Sequence, residues 1–396
     1  MITSVKRPRA GLRVVLRGGP DEAFCCRSER VGDGPGVTWG GSPASASVAN
    51  TAYASGYNFN GQVGDSTTTN RLSQVQVGSS TAWASVAAGN LHTAGIKTDG
   101  TLWTWGYNAL GQLGDGTTTN RSTPVRVGAD SNWASVAVGN YHTVAVKTDG
   151  TLWTWGYNAS GQLGDGTTAG ELTPMQVGTA KTWVSASAGD FHAVGVKTDG
   201  TLWAWGANNA GQLGDGSTTN RLTPAQVGTG WSSASAGRSY TVGIKTAGTL
   251  WAWGSNTHGE LGNGTTANQS TPVQIGTSTD WASVAAGDYH TVGTKTGGTL
   301  WAWGSNSYGQ LGDGSTANRL TPGQVGTDAD WASVAVGMYH TVGIKTDGTL
   351  WAWGSNSYGQ LGDGTTTSRS TPGQVGTDTG WTSAAAGNLH TVAVRS

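Results

Sequence analysis

Residues 101–114 read TLWTWGYNALGQLG, and close copies of this stretch return about every 50 residues along the chain. The Trp-x-Trp-Gly string has its first Trp at Trp103, Trp153, Trp203, Trp251, Trp301 and Trp351. A Gly-Gln-Leu-Gly string or variant starts at Gly61, Gly111, Gly161, Gly211, Gly259, Gly309 and Gly359. A third string, Gly-x-x-His-Thr or a variant, starts at Gly89, Gly139, Gly189, Gly237, Gly287, Gly337 and Gly387. A repeat of this length indicates an array of one supersecondary unit, present seven times.

Each unit has the pattern of β-strands. Trp103 and Trp105 alternate with Leu102 and Thr104, which is the period of two that strands show. An Asp-Gly pair at residues 99–100 separates two such segments and predicts a hairpin in which both turn residues take positive φ. About 50 residues hold four strands of ~5 residues with their turns.

The two ends of the repeat region complement each other. The last unit stops at Ser396 and lacks the strand that elsewhere reads Thr-Leu-Trp-x-Trp-Gly, whereas Thr51–Gly56 has the register of that missing strand. A linear solenoid has no use for complementary ends, but a ring closes through them and loses its free sheet edges. We therefore predict an all-β fold over residues 48–396. It is a seven-bladed β-propeller of four-stranded blades, with the last blade closed by N- and C-terminal segments.

Composition excludes several classes of protein. With 66 glycines, 20 tryptophans and only 11% charged residues among 396, the chain is neither a disordered polyelectrolyte nor collagen. The net charge of −1 leaves no electrostatic footprint for specific nucleic-acid binding, and no apolar run is long enough for a membrane span. The Gly-x-Gly pieces are turns, because no phosphate-loop lysine or helix follows them. We expect a soluble, monomeric protein without cofactor or metal.

Residues 1–47 differ from the repeats. Residues 1–30 contain seven Lys/Arg and three Asp/Glu, a net charge of +4, and residues 31–50 are rich in Gly, Ser and Ala. The segment Gly11–Leu16 is too short and too charged for the apolar region of a signal peptide. We predict a flexible basic extension followed by a linker, with a basic arm that touches nucleic acid as the alternative. The compartment stays open, since the only cysteines, Cys25 and Cys26, lie here.

Three residue types recur in every unit or nearly so, and each has a functional and a structural interpretation. Tryptophan columns suit light sensing or ligand stacking, but recurrence in every blade favours packing between blades. The aspartates of Gly-Asp-Gly, such as Asp115, resemble calcium ligands less than turn caps, because each unit supplies one. A column of histidines suits a metal ring, but we favour half-buried imidazoles that hydrogen-bond within their own blades. That column holds His92, His142, His192, His290, His340 and His390, with Tyr240 in the seventh place.

Aromatic residues vary between units at two loop zones, while their neighbours hardly change. One zone precedes the histidine column, and the other is the Gly-x-Asn-x-x-Gly loop. Loops on a rigid scaffold carry function, and tyrosine combines apolar area with a polar tip that suits interfaces. We predict a ring of aromatics around the channel mouth that docks a protein partner; local packing of these rings is the alternative. The candidate residues are Tyr57, Phe59, Leu91, Tyr107, Leu110, Tyr141, Tyr157, Asp190, Phe191, Arg238, His258, Asp288, Tyr289, Tyr308, Met338, Tyr339, Tyr358 and Leu389.

The concatenated motifs resemble the repeats of the regulator of chromosome condensation (RCC1-like) family over nearly everything after residue 50. The resemblance implies a seven-bladed propeller in which both aromatic zones lie on the same face. It also implies a nucleotide-exchange activity on a small GTPase, which founding members exert through a wedge inserted into one blade. The nearly uniform spacing here contains no such insertion. Plant ultraviolet-B photoreceptors of the family carry Gly-Trp-Arg-His-Thr, whereas this chain has no tryptophan in either of the two columns before the histidine.

Three classes of function follow from these patterns. We favour a non-catalytic scaffold that recognises a protein through the aromatic face. The alternative, implied by the resemblance, is a guanine-nucleotide exchange factor-like regulator of a small GTPase. The third is a propeller glycosidase or lyase, which would need clustered carboxylates in a pocket; the channel-facing Asp190 and Asp288 come nearest to that.

Overall fold

The computed structural model describes residues 50–396, so the predicted extension over residues 1–47 lies outside the described residues. The described part consists of strands joined by turns and loops, without a helix. The strands are β1 (Thr51–Gly56), β2 (Arg71–Gln76), β3 (Trp83–Ala88), β4 (His92–Lys97), β5 (Leu102–Gly106), β6 (Arg121–Arg126), β7 (Trp133–Val138), β8 (His142–Lys147), β9 (Leu152–Gly156), β10 (Glu171–Gln176), β11 (Trp183–Ala188), β12 (His192–Lys197), β13 (Leu202–Gly206), β14 (Arg221–Gly228), β15 (Trp231–Ala236), β16 (Tyr240–Lys245), β17 (Leu250–Gly254), β18 (Gln269–Gln274), β19 (Trp281–Ala286), β20 (His290–Lys295), β21 (Leu300–Gly304), β22 (Arg319–Gln324), β23 (Trp331–Val336), β24 (His340–Lys345), β25 (Leu350–Gly354), β26 (Arg369–Gln374), β27 (Trp381–Ala386) and β28 (His390–Arg395).

These strands form seven four-stranded antiparallel sheets, which are the blades of a propeller. Blades 1 to 6 are β3–β6, β7–β10, β11–β14, β15–β18, β19–β22 and β23–β26. Blade 7 has the order β2-β1-β28-β27 and so combines both ends of the repeat region. The innermost strands, which are β3, β7, β11, β15, β19, β23 and β27, contact one another in this order, and β27 contacts β3. The prediction of a closed seven-bladed propeller is confirmed.

The closing strand pair has the register that the sequence predicts. Along β1 and β28 every residue is paired, from Thr51 opposite Arg395 to Gly56 opposite His390. The Arg395 guanidinium also donates a hydrogen bond of 3.0 Å to the Tyr53 hydroxyl. Because backbone pairing continues across the two chain ends, the ring has no open edge at this point.

The Asp-Gly hairpins form, but not with the predicted turn. Gly100 has φ of +75°, whereas Asp99 is absent from the positive-φ residues, of which Ser66 is the only non-glycine in residues 50–396. The Gly100 amide donates to the Lys97 carbonyl at 2.9 Å, and the Lys97 amide donates to the Thr101 carbonyl at 2.9 Å. This is a three-residue loop with glycine at its left-handed position, so the prediction that both turn residues take positive φ is wrong. The Asp99 carboxylate instead accepts the Thr101 amide at 3.0 Å, which stabilises the turn.

Hydrophobic clusters lie between neighbouring blades. One of them joins Val242, Leu250 and Ala252 of blade 4 to Trp281 and Trp303 of blade 5. The second tryptophan of every complete Trp-x-Trp string is fully buried. In blades 1 to 5 its indole also bonds the preceding blade, as when Trp105 Nε1 donates to the Gln62 carbonyl at 2.9 Å. The tryptophan columns therefore pack the blades together, as the structural interpretation predicts.

Candidate partner-binding face and central channel

The two variable loop zones meet at one end of the blades. Strand β4 begins at His92 and β5 ends at Gly106, and these two residues are paired, so the loop before one and the loop after the other are neighbours. The Tyr107 amide donates to the Leu91 carbonyl at 2.9 Å, and the equivalent bond is present in all seven blades. All the candidate loop residues consequently lie on the same face of the propeller.

On that face the aromatic rings of the candidate residues, except Tyr107, pack into three separate clusters. Cluster A is Tyr141, Tyr157 and Phe191, with ring centroids 6.0 to 6.3 Å apart. Cluster B is His258, Tyr289, Tyr308 and Tyr339, in which Tyr289 and Tyr339 stack at 5.4 Å. Cluster C is Tyr57, Phe59 and Tyr358, with centroids 4.9 and 5.1 Å apart. The rings thus touch their local neighbours in groups, and these groups surround the axis in place of one continuous belt.

Clusters B and C contain exposed rings, whereas the three rings of cluster A are half-buried. Phe59 is 64% exposed, Tyr308 44% and Tyr358 37%, which places them among the most exposed large apolar side chains of the described residues. Tyr141, Tyr289 and Tyr339 are half-buried, as are Leu91, Tyr107, Leu110, Met338 and Leu389 on the same loops. Exposed aromatic groups of this kind mark interaction surfaces more often than isolated exposed residues do.

A ring of glycines narrows the channel at the ends of the innermost strands. A Cβ on Gly89 would lie 2.2 Å from the Gly139 carbonyl oxygen of the next blade, and the same relation is repeated round the propeller. The series closes where a Cβ on Gly387 would meet the Gly89 oxygen at 2.3 Å. Glycine is required here by close approach of neighbouring blades, and the cavity of about 80 Å³ along the axis is lined by all seven.

Charged side chains next to this ring connect the channel to cluster B. Asp190 and Asp288 both line the cavity, as predicted, together with Arg238, Asn90 and Asn388. The Arg238 guanidinium lies 3.4 Å from the Asp190 carboxylate and 5.0 Å from the Tyr289 ring centre. Burial, and then the nearby Asp288 carboxylate, raise the pKa of Asp190; burial also raises the pKa of Asp288. The channel mouth therefore carries two acids against one base.

The histidine column has a different role from the predicted one. The six rings are fully buried, not half-buried, and all except His142 bond the next blade, not their own. His92 Nε2 lies 3.1 Å from Thr143 Oγ1, and Thr143 donates its hydroxyl hydrogen to the Gln112 carbonyl at 2.9 Å. The hydroxyl oxygen therefore accepts from the imidazole N–H. Tyr240 replaces histidine in blade 4 and likewise reaches the next blade, donating to the His290 carbonyl at 2.7 Å.

Burial lowers the pKa of these histidines, to about 3 for His92, His142, His192, His290 and His340 and to about 4 for His390. They are neutral at physiological pH. Within residues 50–396 no three His, Cys, Asp or Glu side chains are grouped as metal ligands.

The aspartates of Gly-Asp-Gly stabilise turns, and all of them except Asp165 also form an ion pair with an arginine that sequence reasoning missed. Asp115 accepts the Thr117 amide at 3.0 Å, and its other oxygen lies 2.7 Å from the Arg121 guanidinium. Burial raises the pKa of Asp115, but the hydrogen bonds from Thr117 and Arg121 outweigh it and lower the pKa overall. An arginine six residues after the aspartate recurs in the sequence, and this spacing could have predicted the ion pair.

Two loop residues with amide side chains were also missed: an Asn that recurs in all seven loops and a Gln that recurs in six, with Glu260 in the seventh. Asn108 is fully buried, and its side-chain oxygen accepts the Leu113 amide at 2.9 Å while its nitrogen donates to the Thr117 carbonyl at 3.0 Å. The Gln112 side-chain oxygen accepts the Leu110 amide at 3.0 Å. Its backbone carbonyl accepts the Thr143 hydroxyl of the next blade. These bonds hold each aromatic loop in place, so the rings are mounted on a rigid frame.

The geometry defines a seven-bladed β-propeller with an aromatic face. Two overlapping matches to one family model, at residues 37–326 and 180–396, show that the chain belongs to the RCC1-like domain family. Among solved structures it is similar to Prp20p from Saccharomyces cerevisiae, at 20% identity and a TM-score of 0.80, covering 88% of this chain and 91% of that one. Human WBSCR16 is similar at 19% identity and a TM-score of 0.79, covering 88% and 99%. These likenesses concern the fold.

The search of curated protein sequences gives no significant match. Within the described residues, no helix has the length and apolar character that a membrane crossing needs.

Proposed function

We propose that this protein is a non-catalytic scaffold that binds a protein partner through its aromatic face. The single observation that carries the proposal is the set of three aromatic clusters, partly exposed, on loops that a buried amide network holds rigid. Preorganised aromatic rings bury large area with little loss of conformational entropy on binding. Arg238 beside Tyr289 adds a charged group of the type enriched at interface hot spots.

The relatives support a binding role in general terms. Yeast Prp20p is described with its binding to Gsp1p and histones, and yeast RCC1 (Prp20) has been solved bound to Kap60. We carry over to this chain only the use of a propeller as a binding platform. Exchange activity on a small GTPase is the alternative, but the described blades have four strands each and no inserted wedge.

The test uses the full chain with Tyr141, Tyr289 and Tyr339 replaced by alanine, against a Val184→Ala control. Val184 is 58% exposed and follows Trp183, at the opposite end of its blade. A partner captured by the wild-type chain and identified by mass spectrometry is expected to bind the triple variant about tenfold or more weakly, since each lost hot spot costs ~1 kcal/mol or more. Equal affinity of the triple variant and the wild type would overturn the proposal.

Two further measurements complete the test. Thermal unfolding followed by circular dichroism checks that the triple variant folds. Release of labelled nucleotide from small GTPases separates the alternatives: accelerated release by catalytic amounts of the chain would favour exchange activity, and unchanged release favours the scaffold.

A further inference from the structure

A lysine lies over two tryptophan rings in each of blades 1 to 6, and in blade 7 Arg395 lies over Trp381 and Tyr53. In blade 1 Lys97 Nζ is 3.7 Å from the Trp103 ring centre and 5.3 Å from that of Trp83. In blade 3 Lys197 Nζ is 3.9 Å from Trp203 and 4.7 Å from Trp183. Cation–π contact holds each ammonium at the blade surface but leaves its hydrogen-bond donors unused. In the strand pair β3–β4, Trp83 at the start of the inner strand is opposite Lys97. The cation therefore lies at the end of the blade opposite the aromatic face.

In four blades an aspartate of the same chain supplies the missing acceptor. Lys147 Nζ lies 2.7 Å from the Asp130 carboxylate, and Lys345 Nζ lies 2.6 Å from that of Asp328. Equivalent ion pairs join Lys295 to Asp280 and Arg395 to Asp378. Each aspartate precedes the first tryptophan of the inner strand by three residues or by one. The chain itself therefore shows what group fits over this cation: a peptide carboxylate.

Blades 1, 3 and 4 lack that aspartate. The two positions hold Ser80 and Ala82 in blade 1, and Ala180 and Thr182 in blade 3. Lys97 and Lys197 form no ion pair within residues 50–396. Burial lowers the pKa of both, whereas in Lys345 the hydrogen bonds to Asp328 and Asp330 outweigh burial and raise it. Blade 4 has a loop two residues shorter, so its Lys245 is not treated as equivalent to Lys97 and Lys197.

Open cavities lie beside these two lysines. The cavity at Lys97 has a volume of about 290 Å³ and is lined by Ser79, Ser80, Trp103 and Pro124. The cavity at Lys197 has about 390 Å³; its lining residues include Met175, Ala180, Trp203, Pro224 and, at one side, Asp165. Each combines an ammonium group with tryptophan and proline surfaces that can pack the stem of a bound side chain.

The other charges near the lysines are those of the adjoining turns. Asp99 follows Lys97 and Asp199 follows Lys197, but the carboxylates accept hydrogen bonds from Thr101 and Thr201 within their own turns. Lys181, one residue after Ala180, pairs with Asp149 at 4.0 Å.

We propose that the cavities at Lys97 and Lys197 are two carboxylate-binding sites, each receiving the Asp or Glu side chain of an acidic peptide segment. The bound carboxylate takes the place that Asp130 and Asp328 take in blades 2 and 6, accepting from the lysine ammonium. The peptide stem packs on the tryptophan and proline surfaces. These sites are independent of the aromatic face.

The experiment uses the full chain and a fluorescein-labelled peptide, Gly-Thr-Asp-Ala-Asp, which copies residues 326–330. Fluorescence anisotropy measures binding to the wild type, to K97Q/K197Q and to S80D/A180D. The glutamine variant is expected to bind about tenfold or more weakly, the loss of a charge-assisted hydrogen bond. In the aspartate variant each new carboxylate pairs with its lysine from within the chain, as in blades 2 and 6, so this variant is expected to lose binding similarly while unfolding at a higher temperature.

The matched control is S80N/A180N, which adds the same volume without charge and is expected to bind as the wild type does. A peptide with Asn in place of Asp is expected not to bind, and glucuronate at equal concentration is expected not to displace the acidic peptide. Wild-type affinity in S80D/A180D, or binding of the Asn peptide, would overturn the proposal. Preferential binding of glucuronate would overturn the assignment to a peptide.

Discussion

His390 Nε2 lies 2.8 Å from Thr93 Oγ1, although the two residues are 297 positions apart in the chain. The same His–Thr bond links blade 1 to blade 2, blade 3 to blade 4, blade 5 to blade 6 and blade 6 to blade 7. The bond from His390 links the last blade to the first, because it joins β28 of blade 7 to β4 of blade 1. Closure is therefore carried by buried side-chain bonds as well as by the β1–β28 strand pair.

One link of this circle is missing, and restoring it should stabilise the protein. Blade 3 has Ala193 where other blades have threonine, and neither ring nitrogen of His142 has a partner in the described residues. Ala193→Thr is expected to raise the free energy of unfolding by about 1 kcal/mol, because it supplies a buried acceptor. Urea unfolding measures the change. Ala193→Val, of similar size but without a hydroxyl, is the control; equal stabilisation by both variants would contradict the hydrogen-bond argument.

Stability should fall as pH drops below about 6. The six buried histidines have pKa values near 3 to 4 in the folded protein against 6.5 when unfolded, so the unfolded chain binds more protons in this window. Each histidine costs up to about 1.4 kcal/mol per pH unit there. Asp190 and Asp288 have raised pKa values, so their protonation favours the folded state as the pH falls. These two groups are outnumbered by the six histidines.

Urea unfolding at pH 7.5, 6, 5 and 4 tests this expectation. His340→Tyr, which copies the residue that blade 4 carries at Tyr240, removes one titrating group and should make the dependence shallower. A free energy of unfolding that stays constant between pH 7.5 and 5 would show that the rings are not held neutral.

The glycine ring should not tolerate a single methyl group. In Gly189→Ala the new Cβ would lie 2.2 Å from the Gly237 carbonyl oxygen and 2.6 Å from the His192 ring. Both neighbours are fixed, so we expect a loss of about 1 to 3 kcal/mol, as for other overpacked sites. Gly297→Ala, where a Cβ meets nothing within 4 Å, is the control. Thermal unfolding measures both, and equal melting temperatures would refute the close contact between blades.

One blade carries two acids where most others carry an ion pair. In blade 2 the residue six positions after Asp165 is Glu171. In most other blades this position holds arginine, and Asp115 pairs with Arg121 at 2.7 Å and Asp313 with Arg319 at 2.6 Å. Glu171→Arg is expected to stabilise the protein by about 0.2 to 1 kcal/mol, because the arginines of these pairs are partly exposed. Glu171→Gln separates removal of like charge from formation of the pair. The gain from arginine should shrink at high salt, and a gain that is independent of salt would exclude the ion pair.

The architecture was predictable because the same strand pattern recurs in seven units of the sequence. Errors that a single strand pattern would produce cancel over seven copies, and the missing strand at one end matched the surplus strand at Thr51–Gly56. The predicted partner-binding loops were found together on one face for the same reason, since the register of His92 and Gly106 follows from strand length.

What the patterns misjudged was the partner of each side chain. The sequence pattern predicts that the histidine column bonds its own blade, but its acceptor is the threonine of the next blade, 51 residues away in the pair His92–Thr143. Lys97 and Lys197, which form no ion pair within residues 50–396, could not be singled out from sequence, because only the structure shows that the aspartates of other blades pair with the equivalent lysines. The grouping of the rings into clusters A, B and C depends on which loops carry aromatics on adjacent blades.

Periodicity alone was enough for strand order, blade number and closure, because backbone pairing depends on spacing and alternation, which a linear pattern records. The packing of blade against blade was settled by the fold, because the wedge between two sheets brings together residues from different repeats. Hydrogen bonds, ion pairs and cavities at that junction depend on distances of a few ångströms, and no one-dimensional pattern contains them.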